Sequence, residues 1–172
     1  EEIIRSLIET KQIVRENNHW RSSGDETGIS IPDTLRGVLS ARIDRLPDAA
    51  RNTLQNAAVI GRSFDGRVLK RLVHLNGEMD EQIHSLIGAR LIEPYQEEYA
   101  FRHVLIQEAA YESILIKNRV KLHKLIGETL EELHPDRVEE FAPLLAHHFY
   151  NAQDERSMKY DILAGEKGAR LF

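Results

Sequence analysis

Hydrophobic residues recur every three or four positions over most of the chain, which is the spacing of one face of a helix. Leu35, Leu39 and Leu46 lie on one such stripe, and a second stripe follows directly and ends at Gly61. A glycine at that position permits a left-handed helix cap. Residues 1–14, EEIIRSLIETKQIV, carry the same spacing. We therefore predict a mainly α-helical chain that begins with a helix.

The middle of the chain combines short helical stripes with one change of period. Helical spacing continues from Phe64 to Val73 and again through MDEQIHSLIGARLI. In LIEPYQEEYAFRH, apolar residues instead flank the polar run Gln96–Glu98, which predicts two short antiparallel strands. Three short helices followed by a β-hairpin are typical of a winged helix.

The spacing from Val104 to the end of the chain is helical again. After two helical segments, Pro143 predicts the start of one further helix and Asp154 caps the next, so that the two form an antiparallel pair. Small residues such as Ala164 and Gly165 leave room for close approach of another helix. We therefore expect the start of a helical solenoid.

Composition limits the classes of protein that fit. Of the 172 residues, 41% are hydrophobic and 30% charged, which is enough to build a core. The formal charge of -5 gives no overall attraction to nucleic acid or to an anionic membrane. The absence of cysteine excludes disulfides and a cysteine nucleophile, and a cytoplasmic location fits best. No apolar run approaches the roughly 20 residues that cross a bilayer.

Eight histidines are the first candidates for metal ligands, and His147 and His148 are adjacent. Adjacent residues on a helix point about 100° apart, and no carboxylate stands at ligand spacing. His123 and His148 lie within or beside apolar stripes. We therefore expect no metal site, and we interpret these two histidines as packed or half-exposed structural residues.

A winged helix often places its third helix in the major groove of DNA. Here that helix has three acidic residues near its start against Arg90, and Gln82 is the one residue there that suits base reading. The preceding helix is more basic, with Arg67, Lys70 and Arg71, but this number of charges is typical of a solvated face. The charges therefore disfavour nucleic acid as a partner.

Arg102 and His103 stand where the hairpin ends and the next helix begins. Backbone N–H groups at a helix start attract anions, and a basic pair adds to that attraction, so this corner can contact a phosphate. The alternative is that His103 caps the helix and Arg102 extends toward solvent. The chain has no glycine-rich phosphate loop and no nucleophile–base signature, so we predict no catalytic site in these residues.

Several strings in the chain resemble one protein family. They are IPDTLRGVLSARIDRLPDAARNTLQNAAVIGRSFD, FRHVLIQEAAYESILIKNRVKLHKLIGETLEEL and LLAHHFYNAQDERSMKYDILAGEKGARL. In this order they resemble the signal-transduction ATPases with numerous domains, the STAND ATPases, which contain an AAA+/NB-ARC-like ATPase module. The similarity is greatest to the bacterial and archaeal group in which this module is joined to cyclase, protein kinase or helix-turn-helix activator domains.

The resemblance implies a division of the chain into three parts. Residues 1–46 would be the C-terminal helical lid of the ATPase module, and residues 47–103 the winged-helix domain. Residues 104–172 would be a helical linker and the start of a helical-repeat sensor region similar to tetratricopeptide repeats. Because the chain begins at Glu1 without Met and within a helical stripe, we expect it to be part of a longer protein whose Walker motifs lie upstream.

The resemblance also implies a role for the basic pair. In the family, the winged helix folds against the nucleotide-binding domain, and a histidine at the end of its hairpin contacts the β-phosphate of ADP. FRHVL stands where relatives have Met-His-Asp, so this role falls on His103, with Arg102 a weaker candidate and Val104 in place of the aspartate. The cofactors implied for the longer protein are ADP or ATP with Mg, none of them held by these residues alone.

The implied partners are the upstream nucleotide-binding domain and the downstream helical repeats, with an oligomer on activation as a further partner. The longer protein would be a slow ATPase switch for signal transduction, and neither nucleic acid nor a membrane is expected to bind this part of it. Two alternatives stay open. The chain can be a DNA-binding winged-helix transcriptional regulator with a helical dimerisation tail, or a protein-interaction scaffold in which His103 is structural.

Overall fold

The computed structural model describes residues 13–16, 19–22, 33–73 and 79–169, and this part of the chain is mainly helical, as the hydrophobic spacing predicts. It divides into two compact units, Glu1–Arg45 and Leu46–Phe172. The second unit contains both segments that the sequence analysis separates at residue 103, and the three-part division itself stays a prediction.

In its described residues, the first unit has one pair of strands and one helix. Strands β1 (Ile13–Glu16) and β2 (His19–Ser22) are antiparallel, with Arg15 opposite Trp20. Helix α1 spans Asp33–Asp44. The predicted first helix is therefore wrong at its end, because Ile13 and Val14 belong to a strand; β-branched residues favour extended structure. The rest of that predicted helix lies outside the described residues.

The second unit begins with three helices and a small sheet. Its elements are α2 (Asp48–Ile60), β3 (Ser63–Phe64), α3 (Gly66–Val73), α4 (Met79–Gly88), β4 (Ile92–Tyr95) and β5 (Glu98–Phe101). The predicted hairpin is confirmed as β4 and β5, with Ile92 opposite Phe101. The sheet has the order β3-β5-β4 and is antiparallel throughout.

Strand β3 corrects the prediction that a helix starts at Phe64. Phe64 pairs with Tyr99 of β5, and its buried ring stacks on that of Tyr99 and meets the edge of the Phe101 ring. Helix α3 starts two residues later, where Asp65 accepts a hydrogen bond of 2.7 Å from the backbone N–H of Arg67. An aspartate before a helix is a common cap, so the helix start is fixed by Asp65 rather than by the aromatic residue.

The rest of the second unit is helical, as predicted from Val104 onward. It contains α5 (Val104–Glu112), α6 (Ile116–Leu133), a 3-10 turn (Pro135–Arg137), α7 (Val138–Asn151) and α8 (Arg156–Ala169). Pro143 lies well inside α7 rather than at its start, which corrects one predicted boundary. Asp154 accepts a hydrogen bond from the N–H of Arg156 at the start of α8, as predicted.

Helix α2 lies at the centre of the second unit and packs against α3, α4, α5 and α6. Its buried side chains include Ala50, Ala57 and Ala58, which allow several helices to approach one backbone. Helix α2 ends at Gly61, whose φ of 155° and ψ of -170° belong to a region that only glycine populates freely. This conformation differs from the left-handed cap that the sequence predicts, although both require a glycine.

Candidate functional site

His103 joins strand β5 to helix α5 and caps that helix. Its backbone is extended, with φ -147° and ψ 143°, and its Nδ1 accepts a hydrogen bond of 3.2 Å from the N–H of Leu105. Its carbonyl oxygen accepts a second bond of 3.0 Å from the N–H of Ile106. The capping role that the sequence offers as an alternative is therefore present, because the side chain satisfies an N–H group of the first turn.

The cap also determines where the proton of a neutral His103 ring lies. Since Nδ1 accepts the bond from Leu105, the hydrogen of the neutral imidazole is on Nε2. The side chain is exposed, and Nε2 has no hydrogen-bond partner among the residues that the structure describes. A capping His103 thus presents a free N–H donor outward. The two roles considered for this residue are compatible, because each uses a different ring nitrogen.

Arg102 lies beside His103 but is turned toward the hairpin. Its backbone N–H donates to the carbonyl oxygen of Leu91 at 3.1 Å, and its Nε stands 3.4 Å from an Oε2 oxygen of Glu93 in strand β4. Both side chains of this pair are about half exposed, so the pair contributes little to stability. The guanidinium faces a carboxylate, which reduces the positive charge that Arg102 brings to the corner.

The corner formed by His103 and the first turn of α5 has the chemistry of an anion contact. The first turn of α5 contains no acidic residue, and its N–H groups carry the positive end of the helix dipole. The exposed Nε2–H of His103 adds a donor at the same end. Such a corner can donate hydrogen bonds to a phosphate or a carboxylate, but it holds no nucleophile and no general base paired with one.

The surface that would meet DNA in a winged helix is acidic. Helix α4 has Asp80 and Glu81 in its first turn, both exposed. In α3, two of the cations are engaged by carboxylates: Arg67 with Asp65, and Arg71 with a glutamate of α6. These acids would repel a phosphate backbone, since affinity for DNA depends on unneutralised Lys and Arg.

A second polar cluster lies inside the helical half of the unit. His123 of α6 and His148 of α7 are 2% and 0% exposed, and their Nδ1 atoms are 2.9 Å apart. Nε2 of His123 is 3.1 Å from the hydroxyl oxygen of Tyr111 in α5. Of the two placements predicted for these histidines, packed or half-exposed, both have the packed one. The sequence analysis did not predict their direct contact. The signal for it was that each histidine occupies an apolar position and that the two helices follow each other along the chain.

Burial sets the protonation of this pair. Burial, together with the nearby His147 and Arg119, lowers the pKa of His123 to about 4. Burial, together with His123 and His147, lowers the pKa of His148 to about 3. Both rings are therefore neutral near pH 7. The carbonyl oxygen of Ile60 lies beside His148 and opposes the lowering, yet Nε2 of His148 has no partner of ordinary hydrogen-bond geometry among the described residues.

A third cluster joins α8 to α6 through Arg156. The guanidinium donates to Asp154 at 2.8 Å, to Glu128 at 2.9 Å and to Glu131 at 3.2 Å. It also lies over the ring of Phe149, 4.1 Å from the centroid. The hydrogen bond to Arg156 holds the pKa of Asp154 well below its usual range and raises that of the guanidinium. This cluster uses every charge internally and is structural.

Groups of three or more His, Asp or Glu side chains arranged to hold a metal ion do not occur among the described residues. None of the helices in the described ranges has the length and apolar character needed to cross a membrane.

Comparison with known proteins gives no assignment. No protein-family model, no curated protein and no solved structure matches this chain. The function must therefore be argued from the residues and from the geometry of the His103 corner.

Proposed function

We propose that the chain is the regulatory part of a STAND ATPase, in which a winged helix packs on a nucleotide-binding domain and His103 senses the phosphates of bound ADP. The observation that carries this proposal is the geometry of His103. Its Nδ1 caps α5, and its Nε2–H is exposed and free within the described residues. FRHVL resembles the family's nucleotide-sensing motif, and this resemblance implies that the ligand of the free donor is a phosphate of ADP.

The order of elements supports a winged-helix interpretation. Helix α2, strand β3, helices α3 and α4, and the β4–β5 hairpin follow one another, and β5 lies between the other two strands. Helices α5 to α8 then follow without further strands in the described residues. This continuation supports the proposal that the chain leads into a helical sensor array and acts in the cytoplasm as a link between nucleotide and sensor.

The charges support a protein and nucleotide partner over nucleic acid. The helix that would enter the major groove begins with Asp80 and Glu81, and Glu93 of the hairpin faces Arg102. Low salt would strengthen any duplex binding, so a mobility-shift titration at low salt is the sensitive test. We expect no shift with the 172-residue chain. A shift that disappears as salt rises would favour the transcriptional-regulator alternative.

The mechanism is differential binding. The donor contacts ADP in a closed form of the protein and loses that contact in an open form that binds ATP. Such a donor shifts the balance between the two forms by its interaction energy. A hydrogen bond to a charged phosphate contributes about 1.5–3 kcal/mol, which corresponds to a ten- to hundredfold shift. The Nε2–H of His103 is such a donor. Catalysis, where the longer protein has it, belongs to the upstream domain.

The test uses the longer protein and two variants of the same residue. His103→Ala removes both the cap and the donor, whereas His103→Ser restores a helix cap with a side chain too short to reach outward. We expect both variants to release a fluorescent ADP analogue about ten- to hundredfold faster than the wild type. Only His103→Ala should also lower the stability of this chain, by about 1 kcal/mol.

Arg102→Gln is the matched control, because its neighbour Glu93 already engages the guanidinium. We expect it to release ADP at nearly the wild-type rate. Unchanged ADP release in His103→Ser would refute the sensor role. A longer protein that binds no nucleotide would refute the family assignment and leave the scaffold alternative, and a phosphate-binding loop about 200 residues upstream would support the assignment.

A further inference from the structure

The buried contact between His123 and His148 is the strongest feature that the proposed function does not use. The two imidazoles come from α6 and α7 and meet through their Nδ1 atoms at 2.9 Å. Tyr111 of α5 contacts the far side of His123, with its hydroxyl 3.1 Å from Nε2. The Tyr111 ring is covered in turn by the guanidinium of Arg119, which lies 4.6 Å from the ring centroid. A polar chain thus joins three helices in the interior.

The hydrogen bond between the two imidazole rings can contain only one proton. A hydrogen bond between two Nδ1 atoms needs one donor and one acceptor, so one ring must have a bare Nδ1. In one arrangement the Tyr111 hydroxyl donates to His123, and His123 donates to His148. The hydrogen of His148 then lies on Nε2, on the ring that the Ile60 carbonyl oxygen adjoins. In this arrangement the Tyr111 hydroxyl and the Nδ1–H of His123 each have an acceptor. The arrangement requires both rings to be neutral.

A proton on each ring would break the contact. Two N–H groups would then face each other across 2.9 Å, and two positive charges would be buried side by side. The groups that face the pair supply no negative charge, although the Ile60 carbonyl oxygen partly opposes the lowering of the pKa of His148. They are Tyr111 from α5, Arg119 from α6, His147 from α7 and the Ile60 carbonyl from α2, and none of them is a carboxylate.

We propose that His123 and His148 form an acid-sensitive latch, which holds α7 against α6 while both imidazoles are neutral and releases it when each ring takes up a proton. The latch is independent of the proposed nucleotide sensor, since it shares no residue with the His103 corner. Its position gives it a role in the fold: α6 contacts α2 and α3, whereas α7 contacts α6 and α8. Opening it would separate the last helix pair from the rest of the unit.

The first test measures protons taken up on unfolding. Urea unfolding of the 172-residue chain is followed between pH 7 and pH 5. An unfolded imidazole has a pKa near 6.5, so each buried neutral ring makes unfolding about tenfold more favourable per unit of falling pH in the lower part of this range. For the wild type we expect about a hundredfold per unit from the pair. A tenfold dependence or less would overturn the proposal.

Two variants assign the effect to the pair. His148→Leu removes one titrating ring and should reduce the dependence to about tenfold per pH unit or less. His84→Gln changes an exposed histidine of α4 and should leave the wild-type dependence intact. If His148→Leu does not fold, His123→Gln replaces it. A wild-type dependence that persists in the folded variant would also overturn the proposal.

The second test observes the opening itself. The chain has no cysteine, so two cysteines can be introduced for spin labels without interference. Lys121 of α6 and Tyr150 of α7 are exposed and suit this purpose. We expect one narrow distance distribution at pH 7 and a longer second population as pH falls through the pKa values of the two rings, about 4 and about 3, with the His148→Leu protein retaining the narrow one. A single unchanged distribution down to about pH 2.5 in the wild-type background would refute the latch.

Discussion

Gly127 of α6 lies against the aromatic ring of Phe149 in α7. A Cβ atom at Gly127 would stand 2.7 Å from Cζ and 2.8 Å from Cε1 of that ring. Phe149 is fully buried, and its ring also stacks on that of Tyr160 of α8 with ring centroids 5.6 Å apart. The ring therefore has little freedom to move away, and the absence of a side chain at Gly127 sets how closely α6 and α7 approach.

Replacing Gly127 by alanine should destabilise the chain. The added methyl group forces the Phe149 ring or one helix to shift, and overpacking of this kind costs typically 1–3 kcal/mol. This cost exceeds the gain of up to about 1 kcal/mol that alanine brings to a helix interior. Urea unfolding at pH 7 measures the difference. Gly165→Ala in α8 is the control, because no neighbouring atom of the described residues outside the helix's own backbone lies within 4 Å of its Cβ position, and it should be neutral or stabilising.

Arg156→Met should destabilise the packing of α8 on α6. Methionine keeps an apolar stem over Phe149 but removes the donor that Asp154, Glu128 and Glu131 share. Charged hydrogen bonds contribute about 1.5–3 kcal/mol each in favourable settings, so we expect a loss of roughly 1–3 kcal/mol for this half-buried network. The three carboxylates then repel one another, and added salt should recover part of the loss.

The matched control for Arg156→Met is Arg137→Met, which breaks an exposed pair with Glu140. Exposed pairs of this kind contribute little to stability, so this variant should unfold at nearly the wild-type urea concentration. Equal losses in the two variants would contradict the structural importance of the Arg156 cluster.

The sequence predicts the helices well because each has a periodic apolar stripe, and it predicts the β4–β5 hairpin because the period changes there. Strand β3 was missed since two residues carry no period of their own. Phe64 is extended because Tyr99, far along the chain, pairs with it. The ends of helices were also misplaced where tertiary packing decides them, as at Pro143.

The contacts of the candidate site also differ in how far the sequence predicts them. The capping role of His103 follows from its place before a helical stripe, so the sequence was sufficient to suggest it. The contact of His123 with His148 depends on how α6 and α7 are rotated and aligned, which the spacing of apolar residues does not specify. The pairing of Arg102 with Glu93 likewise depends on the register of the hairpin. Contacts between elements are where the structure adds most.

Asp154→Asn should weaken the chain at neutral pH and lose this effect in acid. The hydrogen bond to Arg156 lowers the pKa of Asp154 below that of an unfolded aspartate. Its contribution is therefore complete above the unfolded pKa, near pH 4, and disappears as pH falls through the lower folded value. We expect a difference of roughly 1–3 kcal/mol at pH 7. Unfolding curves at pH 7, 4 and 2.5 measure it, and a constant difference would contradict the assignment.

Tyr160 should make the chain sensitive to alkali. Its ring is 1% exposed and its hydroxyl donates to the carboxylate of Glu131. Burial, together with the neighbouring carboxylate, raises the pKa of this phenol to about 12. The folded chain therefore keeps its proton between pH 10 and pH 12, whereas an unfolded tyrosine, with a pKa near 10, loses it.

Stability should then fall as pH rises through this window, by up to about 1.4 kcal/mol per pH unit from Tyr160 alone. Tyr160→Phe removes the titration and one hydrogen bond, so it should be about 1 kcal/mol less stable than the wild type at pH 9. The difference in stability should narrow or reverse by pH 11, because only in the wild type does loss of the phenol proton favour the unfolded chain. Urea unfolding at both pH values measures the gap, with Tyr150→Phe at an exposed position as the control. Since all other titrating groups are common to the two proteins, a gap that stays constant from pH 9 to pH 11 would show that the Tyr160 phenol ionises equally in the folded and unfolded chains.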